Sequence, residues 1–80
     1  MKEQIVQELR NIISQDEKVP IEHLSSRIVM LLIGNDDEED GALLDDDKIN
    51  WIADLASSIE IHNGDPESMW HELKTKVNSL

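Results

Sequence analysis

The sequence predicts an all-α fold, a small antiparallel four-helix bundle formed as one domain over residues 1 to 80. Three observations carry that expectation. The apolar residues fall into four clusters separated by the glycines and prolines of the chain, and within each cluster they recur at helical spacing. No stretch of strand length alternates apolar with polar residues, and Tyr and Phe, which favour strands, are absent.

The first helix is predicted over residues 2 to 15, where Ile5, Val6, Leu9, Ile12 and Ile13 share one face and Lys2, Glu3, Gln7, Glu8, Arg10 and Asn11 lie opposite or beside it. Gln15 to Val19 breaks the pattern. Pro20 suits the first position of a second helix, where its missing N–H costs nothing, and that helix is predicted to run over residues 20 to 33 until Gly34-Asn35 stops it. A third helix is predicted over residues 48 to 61. Ile49, Ile52, Leu55, Ala56 and Ile59 form its stripe, Trp51 stands at the edge, and the Asp45-Asp46-Asp47 run supplies an N-cap and negative charge at the positive end of the dipole. His62-Asn63-Gly64 ends it. Asp65-Pro66-Glu67 starts a fourth helix over residues 66 to 78, with Met69, Trp70, Leu73, Val77 and Leu80 on its apolar side.

The expected centre of the bundle is Leu9, Ile12, Leu24, Ile28, Leu31, Ile52, Leu55, Ile59, Leu73 and Val77. Val29 to Ile33 goes most of the way round the second helix, which makes that helix the expected central one; the other explanation is a seam to a second copy, with Met30 as the marker residue. Trp51 and Trp70, the only aromatics, are candidates for interface hot spots, but each lies on or beside a helix stripe, so both are expected to pack in the core.

Charge narrows the function classes. The net charge is -11, yet residues 35 to 47 hold eight of the 18 carboxylates and no base, so this connecting segment carries -8; elsewhere ten acids against seven bases leave -3. Direct binding of nucleic acid is disfavoured, because no predicted face is basic and phosphates would be repelled. A dense anionic loop between two helices instead complements a basic protein surface and steers association with it. Such surfaces usually exist to bind nucleic acid, so a protein presenting carboxylates there competes with phosphates. The candidate partner-binding residues are Asp36, Asp37, Glu38, Glu39, Asp40, Leu43, Leu44, Asp45, Asp46 and Asp47. Leu43 and Leu44 either pin the loop to the core or plug an apolar pocket on the partner. The plainer alternative is a like-charged, hydrated linker with no task of its own.

The same segment resembles the calcium loop of the EF-hand family. Asp36, Glu38 and Asp40 fall at its first, third and fifth positions, Gly41 at the sixth, Leu43 at the eighth and Asp47 at the twelfth. Glu38 replaces a shorter Asp or Asn and Asp47 replaces the usual bidentate Glu, and no second such loop is present, although EF-hands usually pair. The competing class is therefore a divalent-cation module using Asp36, Glu38, Asp40 and Asp47. Length and acidity also resemble acyl carrier proteins, but their Asp-Ser-Leu motif is missing; the nearest text, Asp54-Leu55-Ala56-Ser57-Ser58, lies mid-helix.

Catalysis is not expected. His23, His62 and His71 lack metal or general-base spacing, Ser25-Ser26 and Ser57-Ser58 lack a glycine elbow, and no phosphate loop occurs. The absence of Cys excludes disulfides, thiolate chemistry and cysteine-held zinc. No cofactor and no protein-bound metal are expected. The longest apolar run is six residues, Ile28 to Ile33, against roughly 20 for a membrane span, and the Met1-Lys2-Glu3-Gln4 start has no apolar signal region, so a cytoplasmic protein is the expectation. The function these features predict is a non-catalytic acidic module that blocks a basic partner, as an inhibitor, immunity protein or antitoxin would. A homodimer assembling through the second helix is the remaining alternative.

Overall fold

In the computed structural model, which describes residues 2–36 and 46–80, the chain forms four helices: α1 (Lys2–Ile13), α2 (Ile21–Asp36), α3 (Asp47–Glu60) and α4 (Pro66–Asn78). There is no strand among the described residues, and the helices pack as a bundle. Broad contacts join α3 to α2 on one side and to α4 on the other, while α1 lies against α2 and α4. Directions follow from side chains. Trp51, near the start of α3, sits under Lys76, near the end of α4, so these two helices run antiparallel. A groove at one pole is lined by Glu3 and Val6 from the start of α1, by Asp46 and Lys48 from the start of α3, and by Leu80 beyond α4. Thus α1 and α3 run one way and α4 the other.

Local chemistry sets the starts. Asp46 caps α3, its Oδ1 accepting from Lys48 N at 2.9 Å and Ile49 N at 3.3 Å; Asp65 caps α4 through Glu67 N at 3.2 Å, with Pro66 in the first turn. At Pro20 the expected boundary shifts by one residue. Pro20 precedes α2, and its carbonyl accepts from the N–H groups of His23 and Leu24. The turn after α3 uses the left-handed region twice, at His62 (φ 57°) and Gly64 (φ 120°). α1 stops at Ile13, two residues short of the expected end, as Ser14 Oγ and Gln15 Nε2 take up the carbonyl of Asn11.

The end of α2 corrects the sequence reading. Gly34-Asn35 does not stop the helix, which continues to Asp36, and α3 begins at Asp47, so both ends of the acidic segment are helical. Gly34 keeps a backbone open to any residue, with nothing within 4 Å of where a Cβ would stand. Glycine weakens a helix there without terminating it.

The core is continuous. Of the ten expected central residues, eight are buried, and Ile12 and Leu31 pack half-buried against them. Ile5, Ile13, Leu32, Ile49, Ala56 and Trp70 complete it. Leu32 takes the place expected for Leu31, because five consecutive apolar residues leave the phase of α2 undetermined by pattern. Two expectations are overturned. The second half of α2 is not buried all round, since Met30 is 71% and Ile33 59% exposed, and Trp51, expected in the core, is 49% exposed while Trp70 is buried. The hydroxyl of Ser25 lies in the core without a hydrogen-bond partner, an arrangement that costs about 1–3 kcal/mol.

Gly34→Ala should stabilise the protein by about 0.5–1 kcal/mol in urea unfolding, since the helical backbone is compatible with Ala and the space is open. A loss of stability would show that the glycine is required by the conformation.

Candidate functional site

The acidic segment begins in the last turn of α2 and ends at the first residue of α3. Of its candidate residues, Asp36 is the last residue of α2, Asp46 is the half-buried cap of α3, and Asp47 is the exposed first residue of that helix. Asp37, Glu38, Glu39, Asp40, Leu43, Leu44 and Asp45 lie outside the described residues, and so do most of the positions matched to a calcium loop. Asp46 and Asp47 are held by the helix dipole: the cap accepts two backbone N–H bonds, and both carboxylates stand at the positive end of α3.

Two concavities adjoin this end of α3. The polar groove of about 610 Å³ described above brings the acids Glu3 and Asp46 together with the cations Arg10 and Lys48 around Val6 and Leu80. A second cleft of about 310 Å³ lies on the outer face of α3 between Asp47, Asn50, Trp51, Asp54, Leu55 and Ser58. Sequence reasoning missed this second site. The available signal was angular: Trp51 lies about a third of a turn from the middle of the Ile49, Ile52, Ile59 stripe, on the side that carries Asp47 and Asp54. What the pattern lacked was Lys76, whose Nζ stands 3.8 Å from the Trp51 ring centroid and holds the indole at the surface.

A polar cluster on another side is structural. Asp16, in the turn after α1, accepts from Lys74 Nζ at 2.8 Å and from the Trp70 indole N–H at 3.1 Å. The Lys74 hydrogen bond first, and that from Trp70 second, hold the Asp16 carboxyl below the usual carboxylate range despite partial burial. The bonds tie the α1–α2 connection to α4.

His23, His62 and His71 are each exposed, and among the described residues no three His, Asp or Glu residues are placed to hold a metal ion. No helix among them is long and apolar enough to cross a membrane. Compared with known proteins, the chain matches no family model, no curated protein and no solved structure.

The Asp16 cluster sets a pH dependence. A carboxyl whose folded pKa is depressed contributes stability that is full above its unfolded value, about 3.9, and is lost as pH falls through the folded value. Asp16→Asn should therefore cost about 1 kcal/mol near pH 6, discounted for partial exposure, and progressively less below about pH 4. Urea unfolding of both proteins at pH 6 and pH 3 reads the difference; an equal gap at both would remove ionisation from the account.

Proposed function

We propose that this chain is a non-catalytic acidic binding module whose segment 35–47 engages and blocks a basic, nucleic-acid-handling or toxin-like protein surface, in the manner of an inhibitor, immunity protein or antitoxin. The observation that supports this most is the segregation of charge: -8 of the net -11 falls in one connection between two helices. Asp46 and Asp47 fix its exit on a capped helix end. A field concentrated in this way accelerates encounter with a cationic surface and competes with phosphate for it. Exchange of Asp36, Asp37, Glu38, Glu39 and Asp40 for Asn or Gln should leave helicity unchanged while partner capture weakens and its dependence on salt disappears. In the wild type, duplex DNA should displace the captured partner. Capture that is unaltered by the exchange would take the segment out of the mechanism.

A second reading, self-association through α2, draws on the exposure of Met30 and Ile33. Two such residues expose roughly 250 Å², below the roughly 800 Å² per partner of a stable interface, so the monomer is the favoured state. Met30→Asp should accordingly leave the mass in sedimentation equilibrium and the melting temperature unchanged. A wild-type dimer dissociated by this substitution would establish the seam instead.

A further inference from the structure

The outer face of α3 carries a stripe in which Asp47, Trp51, Asp54 and Ser58 follow one another at helical spacing, flanked by Asn50 and Leu55 to give the 310 Å³ cleft. Half of the Trp51 surface is left in water, although the indole is the largest apolar group on this face. The ring already receives a cation, since Lys76 Nζ lies over it at 3.8 Å. Asp47 stands one turn before the indole and Asp54 one turn after it, and both are exposed. An apolar anchor would desolvate these carboxylates without compensation, whereas a cation satisfies both the ring and the acids. A guanidinium fits better than an ammonium, because its plane stacks on the indole while its N–H fork meets a carboxylate in a bidentate pair. The stripe begins at Asp47, the residue after the Asp46 cap and the last of the acidic segment in sequence, so a basic segment drawn in by that segment meets it next.

We infer that this cleft receives an arginine side chain of a basic protein segment, stacked on Trp51 and held by Asp47 and Asp54. The inference rests on the function proposed above, for which it supplies the rigid contact point.

The test uses the full chain labelled with nitrogen-15 and two 12-residue peptides, one alternating Arg with Ala and one alternating Lys with Ala. The Trp51 indole signal should move and saturate with the Arg peptide, while that of Trp70, buried and bonded to Asp16, stays in place and certifies the fold. The Arg peptide should bind about fivefold more tightly than the Lys peptide. Trp51→Leu should abolish that preference while binding at the acidic segment persists, and Asp54→Asn should weaken the Arg peptide about threefold. Binding that shifts only backbone signals of residues 35–46, or a preference retained in Trp51→Leu, would overturn the site and leave the acidic-segment proposal standing. Failure of both peptides to bind would defeat the two together.

Discussion

Eleven excess negative charges on 80 residues repel one another, and the rest of this structure depends on where they are put. The helices solve part of the problem with their own dipoles. Glu3, Glu22, Asp47 and Glu67 occupy first turns, Asp46 and Asp65 cap two helices, and Arg10 and Lys76 occupy last turns. Each carboxylate so placed meets partial positive charge from backbone N–H groups. Most of the remaining excess falls, in sequence, between α2 and α3. The interior is almost wholly apolar, with Ser25 the one buried polar residue among those described.

The bundle is fastened unevenly. The core joins α2, α3 and α4 through wide aliphatic surfaces, whereas α1 has less area to offer and is secured in addition by Asp16. One carboxylate there serves a lysine and an indole from the same helix, two residues separated from it by more than 50 positions in sequence. Trp70 consequently fills the core and supplies a polar tie at once. Trp51 contrasts with it: the same side chain, one helix earlier, is kept at the surface by a neighbouring ammonium.

What could be read in the sequence was what local chemistry determines. Helix starts were legible because Asp46, Asp65 and Pro66 act within one turn of themselves. Ends were less so, since Gly34 weakens α2 without breaking it and packing of Leu32 carries the helix onward. The phase of α2 was hidden by Val29 to Ile33, a run that offers an apolar residue in almost every direction. The acidic character of the candidate surface was plain from composition. The cleft beside it was less so: its lining side chains all lie on α3, but the contact of Lys76 from α4 with the Trp51 ring is brought about by tertiary packing alone.

The distribution of buried side chains also says where this molecule is free to change. Leu32 is the last residue that α2 commits to the interior and Ile49 the first from α3, and no described residue between them is buried. Substitutions at the described ends, Ile33 and Gly34 on α2 and Asp47 and Lys48 on α3, therefore leave the hydrophobic architecture in place. The bundle then behaves as a constant frame, and these helix ends can change in sequence without the chain having to reinvent how it folds.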